Sequence, residues 1–269
     1  MPPPVRGPGT ASGIGEGVTV PAPHVPALHV EGLQKRFGGL AATRDVSLTV
    51  MPGERRLLIG PNGAGKTTLF NLVCGDLRAD AGSIRVFGRE LRGQPMRQRP
   101  RAGLGRTYQV LTLFPGETML HNVALAAIGT GRAGWLPWGS FAGRRDIRAR
   151  AEAALAQVGL LEQRERVASE TSYGERRRLE LAMVLAQEPR LLLLDEPLAG
   201  LSGPERVTVR AVLEALPRTV AILLIEHDMD VALDLADRIT LLNFGAVVLE
   251  GTRAEVVADP RTREVYFGG

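Results

Sequence analysis

The chain has 269 residues, of which 44% are hydrophobic and 23% are charged, as in an ordinary globular protein of one or two domains. Its 33 basic and 29 acidic side chains give a net charge of +4, which is too small to indicate nucleic-acid binding. The single cysteine excludes an internal disulfide framework, and no apolar run approaches the roughly 18 residues of a membrane span. We therefore expect a protein of the cytoplasm.

The first part of the chain combines a polar tail with short β-like runs. Residues 1–27 are rich in proline and glycine and have few large apolar side chains, so we expect a disordered tail. From residue 28 onward, the runs LHVEGL, VSLTV and RRLLIG are typical of strands. A helix is predicted from Lys66 to about Cys74, and the strand SIRVF follows it.

Beyond Gln109 the pattern becomes helical. The segments GETMLHNVALAAI and RDIRARAEAALAQVGLL have apolar residues at helical spacing, and a Gly/Pro-rich loop with Trp135 and Trp138 separates them. A further helix is predicted to begin near Gly174. This helical stretch, at about 110–185, interrupts the β-rich pattern and is predicted to be an inserted subdomain.

The last third of the chain alternates strands and helices. The apolar strands RLLLLD and AILLI flank a helix predicted at about 204–216, and a helix at 229–236 follows. The strands RITLLN and AVVLEG and a short helix near 253–258 complete the chain. Unbroken apolar strands that alternate with helices indicate a buried parallel sheet and hence an α/β fold.

A phosphate-binding loop is predicted at IGPNGAGKTT, which matches the pattern G-x-x-x-x-G-K-[ST] between an apolar strand and a helix. Its glycines let backbone N–H groups turn toward an anion, and the helix start adds partial positive charge. The lysine supplies a cation for the β- and γ-phosphates, and the first threonine supplies a hydroxyl ligand for Mg²⁺. The predicted nucleotide-binding residues here are Gly60, Pro61, Asn62, Gly63, Ala64, Gly65, Lys66, Thr67 and Thr68.

Two acidic residues follow the strand LLLL, at the edge where open α/β sheets bind ligands. Asp195 is predicted to hold the Mg²⁺ shell, and Glu196 to orient or deprotonate a water molecule. His227 ends another apolar strand and could reach the same γ-phosphate. Gln109 lies at the start of the helical stretch, and its position alone indicates no function.

The stretch TSYGERRRLE, residues 171–180, places three arginines in the first turns of a helix. Cations are unfavourable there because the N-terminal end of the helix dipole is already positive. Either this end faces a negative ligand, or Arg176, Arg177 and Arg178 form a solvated face that pairs with Glu180 and other acids.

With these motifs in order, the chain resembles the nucleotide-binding subunits of ABC transporters over about residues 28–269. The resemblance implies a P-loop NTPase core with a mainly parallel sheet, an N-terminal antiparallel β portion and an inserted α-helical subdomain. It also implies that Glu196 is the catalytic glutamate, that His227 is the switch histidine and that Gln109 is the Q-loop residue, a catalytic residue and metal ligand. Phe37 falls where the family has an adenine-stacking aromatic residue, although an ordinary core phenylalanine would fit as well.

The stretch TSYGE, residues 171–175, occupies the position of the family signature LSGGQ. The resemblance implies that Ser172, Tyr173, Gly174 and Glu175 face the γ-phosphate of ATP bound by an opposite subunit. Thr171, Tyr173 and Glu175 depart from the signature, as does Ser202 from the aspartate usual at its position. We expect Glu175 to turn away from the phosphate, toward the neighbouring arginines or a ribose hydroxyl.

Within the family, RFGGL, RTYQ, SYGERRRLELA and IEHDMD are most similar to the ATPases of branched-chain amino-acid importers. Urea-type import, lipopolysaccharide export, a soluble non-transport ABC ATPase and a small-molecule P-loop kinase are the alternatives. The resemblance implies ATP and Mg²⁺ as cofactors and no nucleic-acid partner. It further implies a second ATPase subunit, separate transmembrane permease subunits, a solute-binding protein if the system imports, and a location at the cytoplasmic face of the membrane.

Overall fold

The computed structural model describes residues 25–107, 113–129, 145–226 and 229–267 of the chain. The strands are β1 (Leu28–Phe37), β2 (Leu40–Val50), β3 (Arg55–Ile59), β4 (Ala81–Val86), β5 (Arg89–Glu90), β6 (Leu104–Arg106), β7 (Leu191–Asp195), β8 (Ala221–Ile225), β9 (Arg238–Asn243) and β10 (Ala246–Gly251). The helices are α1 (Lys66–Cys74), α2 (Met119–Gly129), α3 (Arg145–Gln157), α4 (Tyr173–Leu185), α5 (Gly203–Ala215), α6 (Met229–Leu235), α7 (Arg253–Ala258) and α8 (Pro260–Phe267).

A six-stranded sheet with the order β10-β9-β3-β8-β7-β6 forms the centre of the fold. The five strands from β9 to β6 are parallel, and β10 is antiparallel to β9. Every residue of β3, β7 and β8 is buried, because helices or a second sheet cover both faces. The α/β fold with a mainly parallel sheet, predicted from the leucine- and isoleucine-rich runs, is confirmed.

A second sheet is antiparallel, with the order β2-β1-β4-β5. It packs with α1 against one face of the central sheet, in a core that contains Phe70 of the helix and Leu193 of β7. Helices α2 to α6 share a separate core on the opposite face, which includes Leu192 and Leu194. The alternation of side chains along β7 therefore divides its leucines between the two cores.

Three elements, β5, β6 and α8, were absent from the sequence-based prediction. Strand β6 has three residues and is placed by its parallel pairing with β7, from Leu104 with Leu191 to Arg106 with Leu193. Helix α8 directly follows α7 and begins with Pro260, a residue suited to the first helical turn. Strands β1 and β2 also extend beyond the apolar runs that predicted them. The register of their pairing shifts after Val30, so the apolar alternation is interrupted there although the strands continue.

The part of the 110–185 stretch that the structure describes contains α2, α3 and α4 as its α-helices, and the three are in mutual contact. Among the described helices, none combines the length and the apolar character that crossing a bilayer requires.

Candidate active site

The phosphate-binding loop connects β3 to α1, and its glycines permit both its shape and its packing. Gly60, Gly63 and Gly65 have φ angles of 149°, 79° and 102°, a region that favours glycine. A Cβ atom on Gly60 would collide with the carbonyl oxygen of Leu242, and one on Gly65 would lie 2.5 Å from that of Ala42. The loop therefore packs closely against β9 on one side and β2 on the other.

Helix α1 begins directly behind this loop, at Lys66. Its N-cap is Gly65, which provides no side-chain cap, so the first N–H groups of the helix are available to an anion. The Lys66 Nζ donates to the carbonyl oxygens of Gly60 at 2.6 Å and Pro61 at 3.1 Å. Burial lowers the pKa of Lys66, and the nearby Glu196 and Asp195 oppose that shift. The loop thus holds a largely buried cation in place.

An open cleft of about 330 Å³ lies in front of the loop. Such a volume suits a small ligand with polar and apolar parts. The cleft brings together the loop, Glu196 and Phe37, whose ring is 47% exposed and therefore is not an ordinary core residue. Its lining consists of Phe37, Leu40, Ala41, Ala42, Arg44, Asn62, Gly63, Ala64, Gly65, Lys66, Thr67, Thr68, Glu196 and Phe244.

Asp195 ends β7 and is only 1% exposed. Its Oδ2 lies 3.4 Å from Nη2 of Arg106, which also pairs with Asp76 at 2.6 Å. Its Oδ1 is buried and accepts no hydrogen bond within the described part of the chain. Burial raises the pKa of Asp195, and Arg106 opposes that shift. A buried carboxylate oxygen without a donor fits a Mg²⁺ site, because hard cations take oxygen ligands.

Glu196 occupies a left-handed conformation, with φ of 50°, directly after β7. Its N–H donates to the carbonyl of Ile225 at 2.9 Å, and its own carbonyl accepts from Ala199 at 3.1 Å. This turn directs the partly buried Glu196 side chain into the cleft that contains Lys66. The arrangement can bind a phosphate chain and place a carboxylate near it.

Two buried charged residues of this region were missed by the sequence analysis. Arg106 pairs with Asp195, and its only sequence signal was its place in RTYQ, beside the predicted Gln109. Glu226 is 4% exposed and accepts a hydrogen bond from the Leu198 N–H at 2.8 Å. It precedes His227 in the chain, but no local pattern distinguished it from a solvent-exposed acid.

The predicted signature residues form the beginning of α4. Ser172 is the N-cap, and its side chain and that of Glu175 make the reciprocal hydrogen bonds of a capping box. Glu175 also pairs with Arg166 at 3.0 Å. Glu175 therefore turns toward an arginine, but toward Arg166 and not toward the three that follow it in α4, because the capping geometry points it backward along the chain.

The three arginines of α4 bind other groups of the same chain. Arg176 donates to the Thr171 carbonyl at 2.9 Å, and Arg178 donates to the Val158 carbonyl at 3.0 Å. Arg177 pairs with Glu180 at 3.1 Å, as the alternative interpretation had it, but both side chains are buried and not solvated. Arg176 therefore remains at the N-terminal end of α4, beside Thr171, whereas Arg178 reaches a different part of the chain.

The residues Ser172 to Glu175 do not line the cleft of their own chain. They pack instead on the segment after Glu196. The Tyr173 hydroxyl lies 3.5 Å from the Ala199 carbonyl oxygen, and a Cβ atom on Gly174 would meet the Glu205 carboxylate. Gln109 and His227, like Trp135 and Trp138, lie outside the described residues.

Comparison with known proteins places this site in a family. Residues 43–199 match the family described as ABC transporter. The chain is 39% identical over 250 residues to the high-affinity branched-chain amino acid transport ATP-binding protein LivG of Escherichia coli K12, covering 90% of this chain and 98% of LivG. It is 39% identical over 252 residues to the corresponding protein BraF of Pseudomonas aeruginosa, with coverages of 90% and 98%.

Solved structures agree with this similarity. The ADP conformation of MJ1267, an ATP-binding cassette of an ABC transporter, superposes with a TM-score of 0.78 at 28% identity, covering 91% of this chain and 99% of that one. The matched family segment contains the phosphate-binding loop, Asp195 and Glu196. The chain therefore belongs to the ATP-binding, ATP-hydrolysing subunits of ABC transporters.

Proposed function

We propose that this chain binds ATP with Mg²⁺ in the cleft, hydrolyses it with the help of Glu196 and thereby drives import of branched-chain amino acids. The observation that carries the ATPase assignment is the convergence of the phosphate-binding loop, Lys66 and Glu196 on one cleft. The transported substrate is inferred from LivG and BraF, whose names describe branched-chain amino-acid transport.

The proposed site residues have roles that follow from their chemistry. The loop N–H groups and Lys66 bind the β- and γ-phosphates. Thr67 and Asp195, together with Gln109, would hold Mg²⁺, which when bound neutralises charge on the phosphate oxygens. Glu196 accepts a proton from the attacking water. The resemblance to ABC ATPases supports His227 as a further contact to the γ-phosphate.

The catalytic assignment is tested with Glu196→Gln. Because the amide cannot accept a proton, ATP turnover should fall by about 10²- to 10⁴-fold while ATP binding is retained. Lys66→Ala should instead weaken ATP binding, because it removes the cation that contacts the phosphates. Near-normal steady-state ATPase activity in Glu196→Gln would contradict the assignment.

The active unit is proposed to be a pair of ATPase subunits attached to separate permease subunits at the cytoplasmic face of the membrane. The signature residues Ser172, Tyr173, Gly174 and Glu175 are absent from the lining of their own cleft, which supports a role toward a second subunit. A solute-binding protein completes the proposed importer. Co-purification with a multi-span membrane protein tests the permease attachment.

Substrate uptake tests the transported class. In cells whose native gene carries Lys66→Ala, uptake of radiolabelled leucine should fall to background, and re-expression of the wild-type chain should restore it. Radiolabelled urea serves as the parallel substrate. Loss of urea uptake with intact leucine uptake would assign the chain to the urea-type alternative.

A further inference from the structure

The turn between β9 and β10 forms part of the cleft wall and is fixed to its surroundings. The N–H of Gly245 donates to the Ala64 carbonyl in the phosphate-binding loop at 2.9 Å. The carbonyl of Gly245 accepts from the Arg44 N–H in β2 at 2.6 Å. The position of this turn is therefore tied to the loop that would bind the phosphates.

Phe244 lies in this turn with an unusual backbone conformation and an exposed side chain. Its φ is 45°, a left-handed conformation that bulky side chains rarely adopt, and its ring is 73% exposed. Neither burial nor turn geometry accounts for an aromatic residue here, since glycine or asparagine would fit this backbone with less strain. Residues held in such conformations cluster at ligand-binding sites.

The lining of the cleft contains two chemically different groups of residues. One is formed by the phosphate-binding loop and Lys66, and the other by the exposed apolar side chains of Phe37, Leu40 and Phe244. A nucleotide has the matching division, with charged phosphates and a planar base that stacks on aromatic rings. Phe37 and Phe244 come from different sheets, so together they supply aromatic surface from two parts of the cleft wall.

We propose that Phe244 contacts the base of the bound nucleotide, as a second aromatic residue beside Phe37. This inference rests on the proposed nucleotide cleft and adds a residue that determines affinity for the base. Phe244 takes no part in the chemistry, because the base is remote from the phosphate that reacts. Its removal should therefore affect nucleotide affinity and KM for ATP, and leave kcat unchanged.

The test compares ATP with inorganic tripolyphosphate, which has the phosphates and lacks the base. In Phe244→Ala, calorimetry should show ATP and ADP binding weakened about fivefold, near the lower end of what loss of one stacking contact causes. Affinity for tripolyphosphate should stay at the wild-type value, because that ligand uses only the loop and Lys66. Phe244→Trp should bind ATP as the wild type does.

Phe87 offers a matched control. It lies in the turn between β4 and β5 with φ of 47°, nearly that of Phe244, but its ring packs 3.7 Å from the guanidinium of Arg190 and outside the cleft. Phe87→Ala removes an aromatic ring from the same backbone conformation. Its affinities for ATP and tripolyphosphate should both equal those of the wild type.

Two results would overturn the inference. Wild-type ATP affinity in Phe244→Ala would show that the ring does not contact the base. Equal weakening of ATP and tripolyphosphate would show that the substitution damages the loop through Gly245. Failure of the proposed cleft itself would look different, because Lys66→Ala would then bind ATP as tightly as the wild-type chain.

Discussion

Lys66 is one of only two lysines in a chain with 33 basic residues, and the structure gives a reason for its difference from arginine. The compact ammonium group donates from one nitrogen to both the Gly60 and Pro61 carbonyls, whereas an arginine would present a planar group with several separate donors. Elsewhere, arginines use their several donors to bind backbone carbonyls, as Arg55 does with those of Glu214 and Leu216. The lysine of the phosphate-binding loop, the proposed phosphate contact, thus differs in chemistry from the structural arginines.

The single cysteine should be chemically inert in the folded protein. Cys74 is 2% exposed, and burial raises its pKa to about 12. At pH 8 only about one thiol in 10⁴ is then a thiolate, the reactive form. A thiol-specific chromogenic reagent should therefore detect no thiol in the native protein at pH 8 and one per chain in guanidinium chloride. Detection of one thiol within minutes in the native protein would contradict this prediction.

Sequence reasoning identified those cleft residues whose positions depend on their immediate neighbours in the chain. Lys66 and Glu196 stand in short motifs, where the strand-loop-helix order itself creates the site. Arg106, Glu226 and Phe244 act on groups distant in the chain: Arg106 contacts Asp195, Glu226 contacts Leu198, and the turn of Phe244 contacts Ala64. No local pattern encodes such pairs, because the sheet topology creates them.

At the scale of elements, the segment after β7 is held to the end of β8 by two hydrogen bonds. Glu196 donates from its N–H to the Ile225 carbonyl, and Leu198 donates from its N–H to the buried Glu226 carboxylate at 2.8 Å. The same segment contacts the signature residue Tyr173 through Ala199. Glu226 is therefore in a position to orient the turn that carries Glu196, the proposed catalytic carboxylate.

Removing the Glu226 side chain should reduce ATP turnover more than it reduces nucleotide affinity. In Glu226→Ala, the buried Leu198 N–H loses its acceptor, which destabilises the present position of this segment by about 1–3 kcal/mol. We expect kcat to fall about tenfold or more, KM for ATP to change less than about twofold, and hydrogen exchange to increase in the peptide covering residues 196–201. Glu226→Gln keeps an acceptor oxygen and should recover most of the activity.

Asp237 provides the control for this experiment. It also accepts a backbone hydrogen bond, from the Arg55 N–H at 2.8 Å, but at the opposite end of the sheet. Asp237→Ala should lower the thermal midpoint without the same loss of kcat. If Glu226→Ala and Asp237→Ala lowered kcat equally, or if Glu226→Gln were as slow as Glu226→Ala, the positioning role would be wrong.

Elements with a clear signal in the local sequence were predicted accurately, and elements without one were missed. Helices α4 and α7 begin at capping boxes readable in the sequence, Ser172 with Glu175 and Thr252 with Glu255, and their predicted starts agree closely with the structure. Strand β6 has three residues, one of them glycine, and its pairing with β7 alone defines it. Short elements without apolar periodicity need the tertiary structure for their definition.

At the scale of the whole molecule, the separation of signature and cleft predicts trans complementation. Ser172→Arg places a bulky cation on the proposed shared face, so it should abolish ATP hydrolysis and leave ATP binding to the monomer largely intact. Mixing it with Lys66→Ala should restore some activity, because a mixed pair retains one site with Lys66 from one subunit and Ser172 from the other. ATPase rate per wild-type subunit should also rise with protein concentration.

The loss of a helix cap needs its own control. Ser172→Arg also removes the α4 cap, at a cost of about 1 kcal/mol. Thr252→Arg removes the equivalent cap of α7 and should keep wild-type ATPase activity. Full activity in Ser172→Arg, together with a rate per subunit independent of concentration, would contradict the paired arrangement.

The two hydrogen bonds of Gly245 also determine where the chain can accept extra residues. Hairpin tips are normally the most tolerant places for insertions. The β9–β10 tip is an exception, because a residue inserted beside Gly245 would displace it from both Ala64 and Arg44. At the β1–β2 tip, by contrast, a Cβ atom on Gly38 or Gly39 would meet nothing within 4 Å. Insertional mutagenesis should therefore recover folded proteins with linkers at residues 38–39 and none at residues 244–245.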